Sequence, residues 1–228
     1  MGKIFITSDL HIGHDRDFIW KARGYKSVEE MNTNLIQKWN NLVNDNDDVY
    51  VLGDFMLGDK SNIKYLKELK GKIHIVLGNH DTAQRQILYK ELPNVVEMSY
   101  AIMLKYKKYH FFMTHFPSLT GNIEKESLKQ MTLNLYGHTH QKNNFYNDLP
   151  YMYHVGVDSH VGHPVPLDDI IEDMREKMKE YNILKKEEDI KQPRCSKCVY
   201  EPISCGENDF YKDCKKYKRE SSDGGFYG

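Results

Sequence analysis

Along the first part of the chain, short and almost continuous apolar runs alternate with stretches whose apolar positions recur every three or four residues. Ile4, Phe5 and Ile6 predict a buried strand from Lys3 to Thr7. Val28, Met31, Leu35, Ile36, Trp39, Leu42 and Val43 follow the helical period, with Ser27 as N-cap and Glu30 as its capping-box partner. Val49–Leu52 reads as a second buried strand. Ile63, Leu66 and Leu69 mark a helix that stops at Gly71, and Lys72–Leu77 forms a third strand. Strand and helix alternating in this way predict parallel βαβ units, whose carboxyl ends share one edge.

The texture changes after a helix near Gln84–Leu92. Val95–Tyr106 and Tyr109–Thr114 read as a hairpin turning at Lys107-Lys108, so antiparallel strands are expected from there on. Leu133–Tyr136 and Tyr151–Val157 supply two more strands. Leu167, Ile170, Ile171, Met174, Met178 and Tyr181 mark an amphipathic helix. The charge-dense Lys185–Lys191 marks a linker. The expected division is a domain over 1–182, a linker over 183–192 and a tail over 193–228.

Composition works mainly by exclusion. The 228 residues suffice for one domain of ordinary size with a small appendage. Thirty-two Lys+Arg against 33 Asp+Glu leave a net charge of −1, so no global field recruits nucleic acid or an anionic membrane. Mean hydropathy is −0.70 and no apolar run approaches bilayer length. The first residues turn polar too soon for a signal peptide, and Ile6 stands where a myristoylation motif after Gly2 wants Ser or Thr. A cytoplasmic protein with no membrane partner is expected. Cys195, Cys198, Cys205 and Cys214 all fall in the tail. Without export signals they favour one structural four-thiolate zinc site over disulfides, with free thiols as the alternative. The basic cluster Lys215–Arg219 allows contact with nucleic acid, which the net charge does not support.

The chemistry sits at the strand ends. Ser8-Asp9-Leu10-His11-Ile12-Gly13-His14 follows the first strand, Gly53-Asp54 the second and Gly78-Asn79-His80-Asp81 the third; His115 and Gly137-His138-Thr139-His140 follow later ones. In extended backbone, residues two apart share a side, which pairs Asp9 with His11 and His138 with His140. Carboxylate, imidazole and amide oxygen without thiolate suit divalent Mn, Fe, Zn, Co or Ni. Asp9, His11, Asp54, Asn79, His115, His138 and His140 are too many ligands for one catalytic ion, and suit two that share a bridging carboxylate. His14, three residues past His11, is a candidate phosphate contact. Arg23 is a candidate bidentate phosphate clamp, with a solvated arginine as the plainer reading. His74 and His110 read as structural or exposed, and His154, His160 and His163 as rim positions.

This ordered set closely resembles the calcineurin-like metallophosphoesterase superfamily, over roughly Met1–Tyr181. With Asp-Leu-His-x-Gly-His early and Val-Gly-Val-Asp late, it looks like a small bacterial and phage branch. The expected fold is α/β, a four-layer α/β/β/α sandwich of two mixed β-sheets. The resemblance implies one ion on Asp9, His11 and His140, another on Asn79, His115 and His138, and Asp54 between them. It also implies that His80 lies beside the scissile phosphate with Asp81 holding its far nitrogen. Leu57 replaces the last Asp of the family's Gly-Asp-x-x-Asp, and His154 an Asn that often precedes Val-Gly-Val-Asp; both lie outside the implied ligand set. The expected activity is hydrolysis of phosphate mono- or diesters by a metal-bridging hydroxide, with His80 as general acid. The rivals are a non-catalytic scaffold, as in the retromer subunit of this fold, and a nuclease or phosphodiesterase targeted by the tail. The complete set, above all the histidine after Asn79, favours the enzyme. The loops at 116–130 and 141–150 contain nothing diagnostic of substrate.

Overall fold

Three apolar segments, β1 (Ile4–Thr7), β2 (Asp48–Leu52) and β3 (Lys72–Val76), lie adjacent and parallel, as the alternation of strand and helix predicts. The computed structural model describes residues 2–120 and 127–191. Four helices lie in the segments that join and follow these strands: α1 (Asp17–Trp20), α2 (Val28–Leu42), α3 (Ile63–Leu66) and α4 (Ala83–Lys90). Alternate strand residues divide between two cores. Phe5, Val49, Val51, Ile73 and Ile75 pack with helical Met31, Leu35, Trp39, Leu66 and Tyr89. Ile6, Tyr50, Leu52 and Val76 pack on the other side with residues of a second sheet. Burying each such side chain contributes roughly 1.5–3 kcal/mol against chain entropy.

Helix α2 starts where the sequence places it. Ser27 accepts the N–H of Glu30 at 3.2 Å, and the Glu30 carboxylate accepts the N–H of Lys26 at 2.6 Å. Trp39 is buried and still satisfied, because its indole N–H donates to the Lys70 carbonyl at 2.9 Å.

The later strands differ from expectation in two ways. First, Val95–Tyr106 is two strands in two sheets. β4 (Val95–Ser99) pairs in parallel with β3; after Tyr100, β5 (Ala101–Tyr106) pairs antiparallel with β6 (Tyr109–Thr114). Both halves are edge strands with a partly exposed pattern, so polarity does not reveal the corner between them. Second, β7 (Thr132–Tyr136) pairs in parallel with β6, and β8 (Met152–His154) in parallel with β7. The connection from His115 to Met131 is long enough to return the chain to the starting edge, as a parallel pair requires.

An unexpected short strand, β9 (Val165–Pro166), lies antiparallel on β1 at the sheet edge, where a proline removes no ladder bond that is needed. The sheets run β4-β3-β2-β1-β9 and β5-β6-β7-β8, and both are mixed. Helix α5 (Leu167–Lys191) places Leu167, Ile170, Ile171, Met174 and Met178 in the core that the two sheets share. The chain is thus an α/β fold of two mixed sheets with helices. It divides into the units Met1–Tyr181 and Asn182–Gly228, and the candidate site belongs wholly to the first. No described helix is long and apolar enough to cross a membrane. Cys195, Cys198, Cys205 and Cys214, with the zinc site expected of them, lie outside the described residues.

Candidate metal centre

Parallel β1, β2 and β3 release their loops at one edge, and the main chain joins those loops. The N–H of Asp9 donates to Gly53 O and that of His11 to Asp54 O, each at 3.0 Å. Gly78 leaves no space for a side chain: a Cβ there would collide with the Asp54 carboxylate. Gly137 is similar, since a Cβ would strike Ser8 and Asp9, so the second sheet's loop comes directly against the first.

Asp9, His11 and His140 bring ligand atoms within 4.8 Å of one another, as do Asp9, Asp54 and His115. Asn79 joins the second group, its Oδ1 2.9 Å from His115 Nε2. The His138 ring lies 5.0 Å from that of His115, while its N–H donates to both oxygens of Asp9. Asp54 Oδ2 stands between the groups, 3.6 Å from His11 Nε2 and 3.5 Å from His115 Nε2. Seven side chains from five loops thus meet at one place.

Their donor chemistry suits cations. His115 Nδ1 faces the Leu52 carbonyl at 2.8 Å, which can only accept, so the ring's hydrogen lies there. Nε2 of the neutral ring then presents a lone pair to two further oxygen acceptors, on Asn79 and Asp54. His140 Nδ1 likewise faces Asp158 Oδ2 at 2.7 Å, which turns its Nε2 lone pair toward His11 Nε2 at 3.2 Å. Converging lone pairs repel unless a proton or a cation lies among them. The residues present fit two divalent ions on this ground.

The electrostatics agree. Burial pushes the Asp9 carboxyl up to about 6, against the opposing pull of His140, His115 and the Ser8 hydroxyl. Burial also holds His11 down to about 2, keeping its ring neutral. Burial would raise Asp54, but the hydrogen bond and charge of His115 and the His80 N–H bring it down to about 2. His115 and His140 are lowered by burial but raised further by their carboxylate neighbours, so both end above the ordinary value.

The backbone here is strained. Asp9, His11, Asp54, His138 and His140 have φ of 57°, 52°, 53°, 67° and 49°, in the left-handed region that ordinary side chains avoid. The expectation that extended backbone aligns Asp9 with His11 and His138 with His140 therefore fails in its geometry. Both members of each pair sit in left-handed backbone instead, which polarity patterns do not encode.

Residues 3–157 match the model of the calcineurin-like phosphoesterase superfamily domain. The chain belongs to that superfamily. An uncharacterized protein of Methanocaldococcus jannaschii is 33% identical over 159 residues, covering 67% of this chain and 76% of that protein. The gene 66 protein of Mycobacterium phage D29 is 28% identical over 199 residues, covering 75% and 96% respectively. In structure, a protein of unknown function from Aquifex aeolicus superposes with a TM-score of 0.58 at 19% identity, over 75% of this chain and 99% of that one. That likeness establishes the fold.

Within this calcineurin-like framework, two residues take places other than those expected. Asp81 does not turn to the His80 ring: its carboxylate accepts the N–H groups of Asp54, Gly78 and Phe55 at 2.9, 2.8 and 3.2 Å and the Tyr89 hydroxyl at 2.8 Å. It clamps the β2 loop to the β3 loop. Arg23 is no open phosphate clamp, because its donors are already committed. It grips Asp158 bidentately at 2.9 and 3.0 Å and donates to the carbonyls of Asp9 and Leu10.

Asp158 is the residue that sequence reasoning missed. It joins Arg23 to His140 and fixes the ring's direction. Its signal was its place right after the Gly-Val that closes the last strand segment. His14 is half-buried, its ring 5.5 Å from that of His11. His74 is structural, stacked on Tyr50 and bonded to Asp48 and Glu97. His154 lies fully buried behind the site, bonded to Ser159.

Proposed function

We propose that this chain hydrolyses phosphate mono- or diesters at two divalent cations. Asp9, His11 and His140 hold one, Asn79, His115 and His138 the other, and Asp54 serves both. The observation that carries this reading is Asp54 Oδ2, which lies 3.6 Å from an imidazole of one group and 3.5 Å from an imidazole of the other. When bound, the two ions supply Lewis-acid charge and lower the pKa of the attacking water. The chain's own residues do the rest. Asp158 and the Leu52 carbonyl fix the tautomers of His140 and His115, so that each Nε2 faces inward. His80, whose side chain is 47% exposed with Nε2 4.0 Å from Asp54 Oδ2, stands on the solvent side of the centre. There it protonates the departing oxygen and regains its proton from water.

Titration of the full chain with Mn²⁺, which thiolates in the tail bind poorly, tests the scheme together with turnover of p-nitrophenyl phosphate and its bis ester. The wild-type chain should bind two ions, and Asp54→Asn should lose at least one along with roughly 10³-fold or more of turnover. Two ions and normal turnover in Asp54→Asn would overturn the shared-carboxylate scheme. Two bound ions without hydrolysis of any ester would overturn the hydrolase reading.

A further inference from the structure

A cleft of about 790 Å³ opens beside the metal centre. His14 is the wall between them, its ring 5.5 Å from that of His11 and 5.6 Å from that of Phe18, which lines the cleft. The volume lies within the roughly 300–1,000 Å³ typical of small-molecule sites.

The cleft is built from fixed parts. Part of its wall is the seam where the N–H of Leu57 donates to Ile12 O at 2.7 Å. Asn32, fully buried, accepts the N–H of Gly13 at 2.9 Å, and the Asn62 amide donates to the Leu57 carbonyl at 3.3 Å. Gly13 and Gly58 adopt φ of +81° and +72° and leave no space for a Cβ, so this side is close-packed and holds the cleft open.

The remaining walls state what the cleft prefers. Phe18 leaves 65% of its surface in water, a cost that a stacked ligand ring would remove. Tyr65 also lines the cleft, with Lys64 Nζ 5.0 Å over its ring. Asp15, Glu29 and Asp59 offer acceptors, Arg16 and Lys64 donors. Three anions against two cations disfavour a second phosphate, and charge at so many positions disfavours a lipid chain. A flat ring with donors and acceptors on its edge satisfies both kinds of wall.

We propose that this cleft holds the organic group of the substrate and that this group is a nucleoside, so that the esters cleaved are nucleoside phosphates. The proposal rests on the hydrolase reading for its phosphate and on the cleft alone for its ring. The base stacks on Phe18 and hydrogen-bonds along its edge, while the phosphate passes His14 to the metal centre.

Adenosine, adenosine 5′-monophosphate and glycerol 2-phosphate separate these parts. Adenosine should bind the full chain without added metal, by calorimetry and by shifts of the Asn32, Asn62 and Tyr65 amide resonances. Phe18→Ala should weaken it roughly tenfold, and Phe18→Trp should restore it. In turnover, Phe18→Ala should raise KM for the nucleotide by a similar factor with kcat nearly unchanged, and should leave glycerol 2-phosphate within about twofold. A dinucleotide that binds tighter than the mononucleotide would place the nucleoside at a polynucleotide end; equal binding would make the free nucleotide the source.

The proposal is overturned if adenosine shifts none of those resonances, or if Phe18→Ala affects both phosphates alike. Because the adenosine measurement needs neither metal nor turnover, it reports on the cleft even if no ester is hydrolysed.

Discussion

The two sheets supply the centre in different ways. From the first come the carboxylates, the amide and the buried His11 ring, on parallel strand ends that the main chain ties together; Asp81 alone gathers three N–H groups from two of those loops. From the second come imidazoles, on loops where direction depends on single side-chain contacts, such as Asp158 on His140 and the edge of Phe116 on His138, 4.6 Å between centroids. The first sheet sets where charge sits. The second sets where lone pairs point. Damage to the clamp that ties the first sheet's loops should therefore appear as lost stability, and damage to the contacts that aim the second sheet's rings as lost metal affinity.

The His80 ring, though carried on the first sheet's β3 loop, neither clamps a loop nor is assigned an ion, so its removal should act on rate alone and by a large factor. His80→Ala should keep both Mn²⁺ ions and lower kcat about 10²–10⁴-fold for esters with poor leaving groups. The loss should shrink for p-nitrophenyl esters, whose leaving oxygen needs little help from a proton. Loss of an ion on the same titration would make His80 a ligand and redraw the site.

Next comes the clamp. In Asp81→Asn an amide replaces a carboxylate that accepts four donors, so the variant should unfold at lower urea, by roughly 2–4 kcal/mol. Unchanged stability with a specific loss of rate would instead return Asp81 to the role of orienting His80. Asp158→Asn is the counterpart on the other side. It should cost about 10–100-fold in affinity for the ion held by His140, with a smaller change in stability than Asp81→Asn. Equal stability losses in the two variants would erase the distinction between the sheets.

The smallest effect is graded by pH. Asp9, raised to about 6, holds a proton below that value, and His115 and His140 hold theirs to somewhat higher pH. Binding a cation must release these protons, so affinity should fall as pH falls, by at least about tenfold per unit below pH 6. Mn²⁺ titrations at pH 5.5, 6.5 and 7.5 check this; a flat profile would mean that Asp9 is not a ligand.

Much of the first sheet was legible in the sequence. Phe5–Ile6, Val49–Leu52 and Ile73–Val76 are buried on both faces, and such runs declare themselves as parallel strands whose ends converge. The candidate ligands were legible for the same reason, each following directly on a strand. The second sheet was less so. Nothing in the pattern around Tyr100 marks the passage from one sheet to the other, and pairing direction depends on loop path more than on strand composition. Asp81 and Arg23 were found as residues but given the wrong contacts, because a carboxylate next to a histidine in sequence need not face it in space. Asp158 went unassigned because its partners, Arg23 and His140, are far away along the chain.

The left-handed backbone at Asp9, His11, Asp54, His138 and His140 also bears on how this protein could be engineered. Each of these positions costs about 1 kcal/mol or more relative to glycine. A library screened for heat resistance alone would thus reward glycine at the very positions of the candidate site, and the hardiest survivors would lack the side chains on which the proposed function rests. Any campaign to toughen the chain has to keep turnover under selection from its first round, or restrict its changes to residues outside these loops.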